Sequence, residues 1–376
     1  MRTRSIRTVP LTALVIALLS TAAGAGPLAP PPGPVAPTMK TLQQVEPRTP
    51  LSAAATPGDA DSVYRITQPG SYYLTEMMTV PSGFNGIEIT ASDVTLDLGG
   101  MTIRGLPGSK DGINNQTLDN TNIQVRNGTI REMGGSGIYF FHLQPMSARG
   151  HRVDGVAAIS NSGPYGIGIS DGIITGCSAH HNAGSGIRAF AIFSSSIVGC
   201  SASNNTHGIY VSTGSILDST AEFNSSHGMS VGTSGVIRGC VASANRFGFG
   251  GGSYHISNST ALDNWEAGIQ SNVAVTAVDN LIIASAVDAS TVGFLVASTG
   301  SRLEGNNIVR QGTAIKITGT GNLVVGNTLR GNNTAANIVA GNRVGTLVTA
   351  PAMSAVNGNS GGGSMGTTDP NANILY

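Results

Sequence analysis

The chain has 376 residues with 20 basic and 20 acidic side chains, enough length for a large core in one or two domains. Charged residues are only 11%, aromatics 5%, and glycines number 52, about twice the usual share. There is no Gly-X-Y period and no heptad run, which excludes collagen and coiled coil. A balanced charge without a basic stripe excludes nucleic acid as a partner.

At the N-terminus Arg2, Arg4 and Arg7 precede an apolar run from Leu11 to Leu19, and Ala23-Gly24-Ala25 follows. This pattern predicts a secretory signal peptide over 1–25, with a run too short to span a membrane. No second long apolar stretch occurs, so no transmembrane span is expected. The remaining chain carries 17 basic and 20 acidic residues, a net charge of −3. It is expected outside the cytoplasm: extracellular, at the cell surface, or in the periplasm. Residues 26–50 hold eight of the 17 prolines, which predicts a Pro-rich linker over 26–58. An N-terminal cap and first strands are expected over 59–97, with Tyr64 to Met78 as the cap and Gln68-Pro69-Gly70 as a turn.

A repeat then dominates the chain, and repeats decide the fold. Its pattern is aliphatic, any, Gly/Asn/Asp, two more, then a small or aliphatic residue. Clear copies start at Ile174, Ile197, Ile216, Ile237 and Ile256, and weaker ones at Leu98, Val125, Val153, Leu281, Leu303 and Val324. The third column is Gly, Asn or Asp in ten of eleven copies, so a left-handed bend is expected there, with Ile283 the exception. Downstream lies a column of Asn161, Asn182, Asn205, Asn224, Asn245 and Asn264, broken at Ala289 and resumed as Gln311 and Asn332. If each copy is one coil, these amides stack at about 4.8 Å and bond one another. A second strand follows as Gly186-Ile187, Gly208-Ile209, Gly228-Met229, Gly248-Phe249, Gly268-Ile269 and Gly293-Phe294.

Apolar positions alternate with period 2 and no helical stripe is visible. The expected fold is all-β: a parallel β-helix over 98–350 of about eleven coils of 19–28 residues with an internal Asn ladder. A Gly/Ser/Asn-rich tail, loose until its last residues, is expected over 351–376. The coils and the Asn ladder resemble the right-handed parallel β-helix proteins of the pectin-lyase-like superfamily, over about residues 85–345. Handedness is implied by that resemblance. Cys177, Cys200 and Cys240 share the fourth column with Ser219 and Ser259, which reads as small core filler. Stacking also permits a Cys177–Cys200 disulfide, and export permits oxidation.

The resemblance implies acidic polysaccharides bound on the outer face. Its catalytic motifs do not carry over. Polygalacturonase-like Asn-Thr-Asp and Asp-Asp are missing, and His207-Gly208 and His227-Gly228 lack the leading Gly of Gly-His-Gly. Ile315-Lys316 lacks the Arg of Arg-Ile-Lys, and Asp369-Pro370 is followed by Asn371 where alginate-epimerase-like members have His. Acids are too scattered for a calcium cluster of the pectate-lyase kind.

Two constellations remain. His207 and His227 share a column in adjacent coils, about 5 Å apart, which suits a proton-transfer or metal site. His180, Glu222 and Asp263 are expected on nearby turns. The same column continues as Phe247 and Ala267, so a plain surface pair is the competing reading. Arg188, Tyr210, Ser230 and Gln270 follow the inward residue of the second strand and should line one groove. With Arg246, Trp265 and Glu266 they would grip sugar rings; an ordinary solvated strand face is the alternative. The expectation is a secreted β-helix that binds extracellular or cell-wall polysaccharide. A lyase, epimerase or hydrolase with an unfamiliar site and a non-catalytic surface protein stay open as alternatives. Periplasmic metal handling would rest on the His pair alone, and no cofactor is clearly implied.

Overall fold

Each repeat contributes a segment to each of three sheets, because its inward apolar positions fall on alternate residues; most segments are short strands, while His207–Leu217, His227–Arg238 and Phe247–Ser257 run unbroken through two sheets. The computed structural model describes residues 46–115, 120–140, 149–190, 194–349 and 367–376. The expected signal peptide, most of the Pro-rich segment and residues 350–366 of the tail lie outside the described residues. The described strands belong to one unit, Arg48–Tyr376.

The strands stack in parallel into three faces that run the length of a β-helix. The first sheet begins at Ser62–Ile66 and Asn85–Ile89 and continues through Ser185–Ala189 to Thr334–Ile338. It holds thirteen rungs, two more than the expected eleven, because parallel pairing already includes 62–66 and 85–89. The second sheet carries the first repeat column, with Ile174 beside Ile197 and Ile197 beside Ile216. The third carries the small column, with Ala179, Ala202, Ala221 and Ala242 in register. The core is a stack of Ile, Val, Leu and Ala between the three sheets. The Pro-rich segment ends earlier than expected: Thr49–Pro50 pairs beside Gly70–Tyr73, and Leu51 and Thr56 are buried.

Left-handed bends recur in the third column as expected, from Asn127 (φ 59°) to Gly326 (φ 65°). Pairing corrects two copies. Val125 lies beside Leu96, so the first copy starts at Leu96 and its bend is longer. Ile256 lies beside Ala277, and Ala277 beside Leu303, so the copy expected at Leu281 starts at Ala277. Its third-column residue is therefore Asp279, with φ 53°, and Ile283 is no exception because it lies in the third sheet.

The Asn ladder is continuous from Asn161 to Asn264. Each Nδ2 donates to the Oδ1 of the next rung at 2.9–3.2 Å and to a backbone carbonyl. The residue just before each ladder Asn is also left-handed, including Phe223 (φ 53°) and Ala244 (φ 52°). Such a backbone costs roughly 1–2 kcal/mol for a residue with a Cβ, and the ladder bonds hold it in place.

A second ladder was hidden by the register of the late copies. The column of Cys177, Cys200, Ser219, Cys240 and Ser259 continues as Asn280, Asn306 and Asn327, each bonded to the next. The three cysteines are buried free thiols, and burial pushes Cys240 up to about 11. The ladder ends on Asn373, which receives Asn327 Nδ2 at 3.0 Å. The C-terminal strand Asn373–Leu375 thus occupies the rung between Thr328–Arg330 and Leu347–Thr349. Deleting residues 372–376 would leave Asn327 without its acceptor. Amide exchange over 328–330 and 347–349 is expected to speed up while 197–263 stays protected, as in a chain of locally coupled repeats.

Candidate functional site

Two outward columns of the first sheet meet because each rung turns two consecutive residues inward. At Gly208-Ile209 both point to the core, so His207 and Tyr210 emerge on the same side. The glycine is required by the ladder behind it: a Cβ at Gly228 would lie 2.6 Å from Asn245 Nδ2. Arg188, Tyr210, Ser230 and Gly250 are in register along one column, and Ser185 is in register with His207 and His227 with Phe247 along the other.

These columns form the floor of a groove of about 540 Å³. It is lined by Arg188, His207, Tyr210, His227, Ser230 and Gln270, with Gly232, Gly251, Gly252 and Asn272 along one side. The structure therefore brings together Arg188, Tyr210, Gln270 and the His pair. Among the described residues, no Asp or Glu lines the groove.

Arg188 is its one fixed charge. The guanidinium carbon lies 4.2 Å from the ring centre of Tyr210, 4.6 Å from Phe190 and 5.8 Å from Tyr165. Arg188 Nε is buried without a hydrogen-bond partner, and the side chain makes no ion pair among the described residues. Aromatic faces hold a guanidinium without neutralising it. Phe190 and Tyr165 escaped the sequence reading. Tyr165 stands in the same column as Ser185 and His207, which was the available signal.

The two imidazoles are stacked, with ring centroids 6.2 Å apart and planes 4° apart. Their lone pairs lie in near-parallel planes and do not converge on one point, whereas a zinc-like ion needs both nitrogens at about 2.0–2.1 Å. His227 also stacks on Phe247 at 4.8 Å, its Nε2 is 3.0 Å from Gln270 Oε1 and its Nδ1 3.2 Å from Ser226 Oγ. An amide oxygen only accepts, so this pairing assigns the proton to Nε2. Burial lowers the proton affinity of both rings; the neighbouring imidazole and Arg188 lower it further at His207, while at His227 Arg246 lowers it and the Gln270 bond and Glu266 partly offset the fall.

The reach of His227 to Gln270 depends on Gly250. A Cβ there would lie 2.6 Å from His227 Cδ2 and 2.9 Å from Nε2. Gly250→Ala is expected to push the ring off Gln270, seen as loss of the His227–Gln270 hydrogen bond in a crystal structure or in imidazole NMR. Unchanged imidazole resonances would contradict this packing.

The other expected residues lie apart. Arg246, Trp265 and Glu266 sit on the turns entering the neighbouring rungs, outside the groove lining, and Arg246 pairs with Glu266 at 2.6 Å. Arg246 lies 5.9 Å from the exposed Trp265 ring. His180 bonds Ser203 on the third sheet, Glu222 is on that sheet, and Asp263 bonds Ser285. Among the described residues, one group of three acids could hold a cation: Asp59, Asp61 and Glu88. Arg65 and Lys110 already pair with it.

A family described as the right-handed β-helix region matches residues 118–264. No curated protein matches the chain. Among solved structures, the A-module of mannuronan C-5 epimerase AlgE6 of Azotobacter vinelandii is 18% identical with a TM-score of 0.58, covering 73% of this chain and 89% of that one. The AlgE4 A-module of the same organism is 16% identical with a TM-score of 0.54, over 73% and 90%. A tailspike protein mutant of E. coli bacteriophage HK620 is 12% identical with a TM-score of 0.52, over 82% and 71%. At these identities the likeness is one of fold: a right-handed parallel β-helix.

Proposed function

We propose that this protein is exported and binds an acidic polysaccharide in the groove of its first sheet. The observation that carries this reading is Arg188, an unpaired guanidinium held among three aromatic rings in a groove without carboxylates. An unneutralised guanidinium matches a carboxylate in two parallel hydrogen bonds, and aromatic faces beside it suit the apolar faces of sugar rings. Ser230, Gln270 and Asn272 supply further hydrogen-bonding groups in the groove lining. The fold's likeness to epimerases that act on mannuronan, a polyuronate, supports the same ligand class. The Arg-rich start and short apolar run of the sequence support export. No helix among the described residues is long and apolar enough to cross a membrane.

A catalytic reading is favoured by one observation. His207 has no hydrogen-bond partner for either ring nitrogen among the described residues and stands beside Arg188 and Tyr210 in the groove. A free imidazole next to a cation that holds a carboxylate suits proton abstraction beside that carboxylate, as lyases and epimerases require. Hydrolysis by a carboxylate pair does not suit a groove without acids.

The test is affinity electrophoresis on a panel of neutral and uronic-acid polysaccharides, with assays for new chain ends and for epimerised product. Retardation by polyuronates and not by neutral glycans is expected. Equal retardation by neutral glycans, or none at all, would overturn the reading. New ends or altered epimer content would establish turnover.

A further inference from the structure

Among the described residues, the groove lining holds two imidazoles beside one cation, Arg188, and no carboxylate; the acid that acts on His227, Glu266, lies outside the lining and is paired with Arg246. We propose that the groove is acid-responsive: protons taken up by His207 and His227 add two charges to that of Arg188, so an anionic ligand is held more tightly as the pH falls. This inference rests on the anionic-ligand reading above and concerns the regulation of that same site.

The geometry gives the two rings different roles. His207 stands in register with Ser185 on one neighbouring rung, whose Arg188 lies beside Tyr210 in the same groove, and stacks on His227 on the other. Its free nitrogens leave it able to take a proton and present N–H to a ligand. His227 is already engaged through Nε2 to Gln270 and through Nδ1 to Ser226. The charged groups near it are Arg246 and Glu266, which pair with each other and act on it with opposite signs.

In the free protein, burial, the neighbouring ring and Arg188 all oppose protonation of His207. A bound carboxylate supplies the missing counter-charge. By linkage, whatever favours the proton when ligand is bound must favour the ligand when the proton is bound.

The sign for stability is opposite in the free protein. Both rings have proton affinities below the unfolded value, so the unfolded chain takes up more protons near and below that value. The free protein therefore has their full contribution above about pH 6.5 and loses it on acidification. Ligand should reverse that loss.

The test is calorimetric titration with a mannuronan oligosaccharide between about pH 5 and pH 8, a range in which carboxylates of this kind stay ionised. Affinity is expected to rise about tenfold toward the acid end, the worth of one added charge-assisted hydrogen bond. His207→Gln should flatten the profile and His227→Gln should reduce it, while His255→Gln on the second sheet should leave it unchanged. Imidazole NMR of the unaltered protein gives a second reading independent of how the variants fold. The His207 resonance should titrate at higher pH with ligand than without. Binding that is flat with pH, or a His207 titration unmoved by ligand, would overturn the acid response and leave the binding site standing. No binding of mannuronan or polygalacturonate at any pH would overturn both.

Discussion

Replacing Asn245 by Ala is expected to destabilise the protein by about 4 kcal/mol, far more than a surface change. Asn245 Oδ1 receives both the backbone N–H and the Nδ2 of Asn224, and its own Nδ2 donates to the carbonyl of Ala221. Asn224 and Asn245 are both buried. The change would therefore strand two donors and one acceptor in the core, each costing about 1–3 kcal/mol. Because the ladder also holds Ala244 in a left-handed backbone, part of that strain would lose its support. Urea unfolding compared with Asn333→Ala checks this. Asn333 is exposed, has no left-handed backbone and makes no side-chain hydrogen bond among the described residues, so its loss should lie within about 0.5 kcal/mol. Similar stability of the two variants would mean that the ladder contributes no more than a surface amide.

Arg188→Ala is expected to weaken polyuronate binding roughly 10- to 100-fold, the equivalent of one lost charge-assisted contact in a shielded groove. Arg188→Lys should restore only part of it. A lysine keeps the charge, yet the planar fork that lies against Tyr210 and Phe190 is lost. Binding that survives Arg188→Ala unchanged would remove the main support for an anionic ligand in this groove.

Much of the architecture was legible in the residues. The aliphatic, glycine and alanine columns around Ile174, Gly176 and Ala179 mark strand, bend and strand, and alternation alone places Arg188, Tyr210 and Gln270 outward. What was not legible has physical causes. Ala277 is a small residue in a column of isoleucines, so Leu281-Ile282 looked like the start of that copy and Asn280 was hidden. The left-handed backbone at Phe223 and Ala244 has no local signal, because it is imposed by the amide that follows. The insertion of Asn373–Leu375 pairs residues 46 positions apart in the ladder, beyond the reach of a repeat near 21. In the site, the rings of Tyr165 and Phe190 come from a neighbouring rung and a strand end, so only stacking shows that they surround Arg188. The space left by Gly250 shows only when His227 is seen reaching across it.

A crystal structure with a mannuronan oligosaccharide tests most directly the proposal that an acidic glycan binds in the first-sheet groove. The expected result is a chain on the first sheet with a carboxylate on the Arg188 guanidinium and sugar atoms within hydrogen-bond reach of Gln270. A glycan bound on another face, or one in the groove that leaves Arg188 untouched, would contradict the account.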